Sequence, residues 1–101
     1  MPDTKVIRYT THPEHADENE RLIRDVFAEL ATSKPDGLHY TALRLDDGVS
    51  FVHVAVLDGD DNPLQASRAF GRFQAGIAER CAEGPTPASA TTLGSYGMLP
   101  D

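Results

Sequence analysis

Hydrophobic positions recur along this chain with two alternating periods, and they predict strand, helix, strand, strand, helix, strand. Lys5 to Thr11 alternates with period two: Ile7 and Tyr9 point one way, and Val6, Arg8 and Thr10 the other. Thr11-His12-Pro13-Glu14 then opens a helix, with Pro13 in the first turn, where a missing N–H is harmless. Glu14, Asp17, Glu18 and Glu20 place negative charge at its positive end. Leu22, Ile23, Val26, Phe27 and Leu30 follow at helical spacing as one apolar stripe, with Arg21, Arg24, Asp25 and Glu29 toward water. The segment from Thr32 to Gly37 is a stop and a turn, so helix 1 covers about residues 13–32.

Leu38 to Leu45 and Val49 to Leu57 are the second and third strands, joined by Asp46-Asp47-Gly48, a tight antiparallel hairpin signal. An acidic loop, Asp58 to Asn62, leads to Pro63 and helix 2. Its stripe is Ala66, Ala69, Phe70, Phe73 and Ile77, weakened by Gly71 and Gly76, each at about 1 kcal/mol relative to alanine. Gly84-Pro85 ends the helix and Pro85-Thr86-Pro87 reads as a stiff connector. Ser89 to Tyr96 is the last strand, and Gly97 to Asp101 a frayed tail.

This order is that of an α+β, ferredoxin-like βαββαβ sandwich: one four-stranded antiparallel sheet with both helices on one face. The chain is one domain of 101 residues with its core over about 5–96. The hairpin from Leu38 to Val56 is apolar on both faces. Two helices cover one face only, so a homodimer whose two sheets close over a shared interior is the economical answer.

Net charge of −7 and nine scattered Lys and Arg residues argue against nucleic acid as a partner. Apolar runs are too short for a membrane span and the N-terminus has no signal-peptide pattern. A lone Cys81, read as a small apolar residue on a helix face, fits a reducing cytoplasm. His12 and His15 could offer only part of a metal site, and the Asp58 to Asp61 run lacks calcium-loop spacing, so no metal is expected.

Alternation sorts the strand residues into faces. Val52, Val54 and Val56, with Leu43 and Leu45, are expected against the helices. Arg8, Tyr40, Arg44, Phe51 and His53 then collect on the opposite face, an apolar-aromatic surface with two cations and one imidazole. There His53 is the candidate general acid/base. Arg44 or Arg8 could hold a carboxylate or phenolate, and Tyr40 could donate a hydrogen bond. Asn19, on the border of helix 1, could look into the cavity mouth. The plain alternative is that these are interface groups satisfied across a dimer.

The opening strand Val6-Ile7-Arg8-Tyr9, the helix after His12-Pro13, the entry Lys34-Pro35-Asp36-Gly37-Leu38-His39-Tyr40 and the strand Phe51-Val52-His53-Val54 give the chain a layout. That layout resembles the dimeric α+β barrel superfamily and, within it, the antibiotic-biosynthesis-monooxygenase-like group. The resemblance implies a homodimeric barrel with a pocket between sheet and helices. It also implies an activity like that of members that oxygenate polycyclic phenols without a cofactor. Oxygenase and haem-degrading members commonly use a pocket tryptophan, and this chain has none. The expected function is therefore a cofactor-independent, monooxygenase-like enzyme acting on a small aromatic or polyketide-type molecule. In it His53 takes a phenolic proton, Arg44 and Arg8 stabilise the anion, and Tyr40, Phe51 and Asn19 contact the substrate. The alternative is a non-catalytic ligand-binding or structural homodimer of the same fold.

Overall fold

A computed structural model describes residues 3–97 of the chain. The expectation of a frayed tail falls almost wholly on residues outside that range. Four strands, β1 (Asp3–Thr11), β2 (Leu38–Arg44), β3 (Ser50–Leu57) and β4 (Cys81–Ala90), form one antiparallel sheet in the order β2-β3-β1-β4. Helix α1 (Ala16–Ser33) crosses one face, and α2 (Arg68–Gln74) and α3 (Ile77–Arg80) follow β3. This is the ferredoxin-like α+β arrangement. Among the described residues no helix is long and apolar enough to cross a membrane.

Helix α1 enters through a 3₁₀ turn at Pro13–His15 and stops where Lys34 takes a left-handed conformation, its N–H returning to the Leu30 carbonyl at 2.8 Å. Helix α2 docks on α1 through a shared cap. The Ser67 hydroxyl accepts from the Phe70 N–H at 3.0 Å and donates to the Glu29 carboxylate. That bond holds the Glu29 carboxyl below its ordinary pKa. The Glu29 side chain, expected toward water, is thus a docking group.

The hairpin decides which face each strand residue occupies. Asp47 accepts from the N–H groups of Val49 at 3.0 Å and Ser50 at 2.8 Å, and from the Ser50 hydroxyl at 2.6 Å. Ser50 is thereby pinned beside Thr10, at 3.2 Å, on the face without helices. Phe51 must then turn toward the helices, and His53 follows two residues on. The pairings Tyr9↔Phe51, Ile7↔His53 and Ala42↔His53 place these side chains on one face with Tyr40. The core is Tyr9, Ile23, Val26, Phe51, Leu64, Ala69, Phe73 and Cys81.

Three expectations are corrected. The faces of β2 and β3 are reversed: Phe51, His53, Tyr40 and Ala42 meet the helices, while Val52, Val54, Val56 and Leu43 lie on the open face. A run apolar in both phases carries no alternation signal, and the larger aromatic rings fill the space under α1 better than valines do. The second helix is shorter than expected. It breaks at Gly76, which has φ of +82°, and ends at Arg80. Strand β4 then begins at Cys81 rather than Ser89, so Cys81 is a buried strand residue and Pro85-Thr86-Pro87 lies within the strand. Prolines fit there because, among the described residues, β4 is an edge strand paired with β1 alone.

Gly84, at φ of +83°, lets β4 pass over β1: an added Cβ would lie 2.9 Å from the Arg8 carbonyl oxygen and 3.1 Å from the Tyr9 Cβ. Gly84→Ala is therefore expected to cost about 2 kcal/mol or more, from left-handed strain plus the clash. A Cβ at Gly94 meets nothing within 4 Å, so Gly94→Ala is the matched control, expected to stay within about 0.5 kcal/mol. Urea midpoints at constant m-value measure both; equal midpoints would refute the close approach.

Candidate functional site

A cavity of about 460 Å³ opens between the sheet and the α2–α3 segment. It is lined by Ile7 and Tyr9 of β1, Tyr40 of β2, His53 of β3, Phe70, Phe73 and Gln74 of α2, Ile77 of α3, and Pro85 and Pro87 of β4. Such a predominantly apolar lining with a few polar groups suits a small organic ligand. The rings pack on one another: Tyr9 stacks on Phe51 at 5.4 Å between centroids, Tyr40 on Phe27 at 5.0 Å, and Phe73 lies tilted against His53 at 5.3 Å.

A continuous hydrogen-bonded chain runs behind this cavity. The Arg80 Nε donates to Asn19 Oδ1 at 3.0 Å, and Asn19 Nδ2 donates to the Tyr9 hydroxyl at 2.9 Å. The Tyr9 hydroxyl meets His53 Nε2 at 2.7 Å, and the Tyr40 hydroxyl meets His53 Nδ1 at 2.5 Å. Asn19 is 0% exposed and His53 only 3%, so the chain is shielded from water. Arg80, 5% exposed, also donates to the carbonyls of Phe73 and Ala75 and lies 5.4 Å above the Phe73 ring. Among the described residues it makes no ion pair.

Burial sets the electrostatics. It alone pulls the His53 pKa from its ordinary 6.5 to about 4, so the imidazole is neutral near pH 7. Burial raises the Tyr9 and Tyr40 hydroxyls well above the ordinary phenol range, and at Tyr9 the Asn19 bond and the Arg80 charge partly offset it. The site is thus uncharged apart from Arg80.

The structure brings together only some of the residues expected in one site. Tyr40 and His53 meet at the cavity, Phe51 backs it beneath Tyr9, and Asn19 joins through the Tyr9 hydroxyl rather than at a mouth. Arg8 is exposed on the opposite face of the sheet. Arg44 stands at the sheet edge and is spent on the Gly48 carbonyl at 2.7 Å, Glu20 at 2.9 Å and Asp17 at 3.2 Å. The expected convergence of Arg8 and Arg44 with His53 is therefore corrected. Both His53 nitrogens are engaged by tyrosines, so the ring lines the cavity without a free nitrogen.

Tyr9 and Arg80 were not singled out by the sequence. Tyr9 had a signal, since its strand alternates cleanly and its hydroxyl needs a partner once buried. Arg80 had none, because it is the last residue of a four-residue helix that the pattern merged into a longer one. Among the described residues no three His, Cys, Asp or Glu side chains gather as a metal site requires.

No family model matches the chain, and no curated protein matches it either. Solved structures do match. Rv0793 from Mycobacterium tuberculosis superposes with a TM-score of 0.73 at 16% identity, over 96% of this chain and 100% of that one. PA3566 from Pseudomonas aeruginosa does so at 0.73 and 22%, over 92% and 95%. SnoaB, a cofactor-independent oxygenase from Streptomyces nogalater, gives 0.66 and 22%, over 95% and 97%. Further matches, from Chloroflexus aurantiacus and Nitrosomonas europaea, bear the description putative antibiotic biosynthesis monooxygenase. The chain thus shares the fold of these solved structures.

The buried neutral imidazole makes stability depend on pH. The unfolded chain takes up the His53 proton first, so this contribution is full above about pH 6.5 and is lost as pH falls toward about 4. Its ceiling is about 3 kcal/mol. His53→Gln should flatten that part of the curve relative to wild type, with carboxylate effects common to both proteins cancelling. Parallel stability curves across this range would show that His53 is protonated in the native state.

Proposed function

We propose that this chain is a cofactor-independent, monooxygenase-like enzyme that holds a small aromatic molecule in the cavity between sheet and helices. One observation carries the reading: a ring-sized, mostly apolar cavity is lined by the hydrogen-bonded Tyr40–His53–Tyr9 cluster, with the Gln74 carboxamide as a further polar group on its wall. The fold shared with SnoaB, described as a cofactor-independent oxygenase, supports it at the level of architecture. A phenol whose ring fits beside Phe70 and Phe73 would present its oxygen to Tyr40. A hydrogen bond that tightens as that oxygen gains charge favours the electron-rich form that reacts with dioxygen. The substrate supplies both electrons: a phenol plus dioxygen gives a quinone plus water, with one oxygen atom in each product. His53 holds Tyr40, so it acts through that hydroxyl rather than as a free base.

We also propose that the working form is a homodimer. Val6, Val52, Val54, Val56 and Leu43 leave the open sheet face apolar and only partly covered, and a second copy supplies the cover that this chain lacks. A second reading, a ligand-binding module without turnover, is favoured by one observation: neither nitrogen of His53 is free to take a substrate proton.

Oxygen uptake with 1-naphthol tests the enzyme. Wild type is expected to consume one dioxygen per quinone formed, and His53→Ala to lose about 100-fold or more in rate while remaining dimeric. A thermal shift with 1-naphthol but no oxygen uptake would favour the binding module. Light scattering tests the assembly: Val54→Glu, at the centre of the open face, should convert a dimer to a monomer. A wild-type monomer would refute the dimer.

A further inference from the structure

The hydrogen-bonded chain behind the cavity has a direction, and its start fixes it. A guanidinium can only donate, so the Asn19 carbonyl oxygen must face Arg80 and the Asn19 amide nitrogen must face Tyr9. The Tyr9 oxygen therefore accepts, and its own proton needs an acceptor. Tyr9 is 2% exposed, and His53 Nε2, at 2.7 Å, is the acceptor within reach. A neutral imidazole that accepts at Nε2 carries its proton on Nδ1, and that proton points to the Tyr40 oxygen. The reverse arrangement, with Nε2–H donating to Tyr9, would leave the Tyr9 proton buried without a partner.

The last proton of the chain is then that of Tyr40. Among the described residues its hydroxyl has no acceptor, and Tyr40 lines the cavity. We propose that the cavity selects ligands offering an acceptor oxygen, such as a ketone, quinone or phenolate oxygen, to the Tyr40 hydroxyl, and that Arg80 and Asn19 are positioning residues that set this preference. The inference rests on the cavity being a ligand site and deepens it. It names the chemical class of the ligand and two residues that never touch it. The buried cation at one end polarises each donor in turn toward the cavity.

The direction is read without any ligand, from the ¹⁵N spectrum of the free protein at neutral pH, with the His53 resonances identified by their loss in His53→Gln. The expected tautomer has a protonated Nδ1 and a bare Nε2; the opposite tautomer overturns the proposal. Arg80→Lys, which also can only donate, should keep this tautomer. Asn19→Asp is close to isosteric and accepts from both neighbours. The Tyr9 proton should then turn to the new carboxylate, and the His53 tautomer should invert. An unchanged tautomer in a folded Asn19→Asp protein overturns the positioning role.

Ligand class is read by calorimetry with two probes of matched shape, 1-tetralone, which only accepts, and tetralin, which does neither. In wild type the ketone should bind roughly tenfold more tightly. In Tyr40→Phe and in Asn19→Asp the two should differ by about twofold or less. Equal binding to wild type overturns this inference and leaves the cavity as a ligand site. Binding of neither probe overturns the cavity reading itself and the ligand class with it.

Discussion

The hydroxyl of Tyr9 is the constraint on which the rest depends. Its ring is needed in the core, stacked on Phe51, yet its oxygen is carried to a depth where water cannot satisfy it. The fold meets that demand with Asn19 from α1 and His53 from β3, so one phenol ties a helix to two central strands. Each partner then creates a demand of its own. Asn19 needs a donor for its carbonyl and takes it from Arg80. His53 needs a second partner for its ring and takes it from Tyr40. A chain of satisfied buried groups follows from one aromatic residue placed on the inner face of the first strand, and it stops where it meets the cavity.

Much of the architecture was legible. Clean alternation in β1, the helical stripe of α1 and the Asp-Gly hairpin each rest on a strong local signal, and the order of elements follows from them. The candidate site was legible only in part, because its residues depend on register. In β3 both phases are apolar, so Phe51 and His53 could not be assigned by pattern. The decisive feature is the Asp47 cap on Val49 and Ser50, which acts through backbone N–H groups and leaves no hydrophobic trace. The second half was harder still. Gly76 and Arg80 end the helical segment early, and β4 contains two prolines and a bulged register against β1, which read as a connector.

The reversal of the β2 and β3 faces exchanges the members of the two surfaces without abolishing the problem they pose. The face expected to line a cavity became the core, and the face expected under the helices became the open one. That open face carries valines at alternate positions with Arg8 and threonines among them, a largely apolar surface. The cavity moves to the helix side, where its contents are isolated from that surface by the thickness of the sheet. The open face and the cavity are thus separate surfaces, since substitutions on the open face leave the aromatic side chains of the cavity in place.

The shape of α2 and β4 completes the site by what it withholds. Helix α2 presents Phe70 and Phe73 to the cavity, and the break at Gly76 swings Ile77 in behind them. On the opposite wall β4 presents Pro85 and Pro87, residues that have no backbone N–H to offer. A strand edge would ordinarily expose a row of competing donors. Here that wall is apolar, so the polar groups facing the cavity are those of Tyr40, Tyr9 and His53, with Gln74 of α2 beside them. In a cavity of this composition an oxygen that met none of these groups would lose its hydration without replacement, and a penalty of that kind discriminates more sharply than attraction from apolar walls.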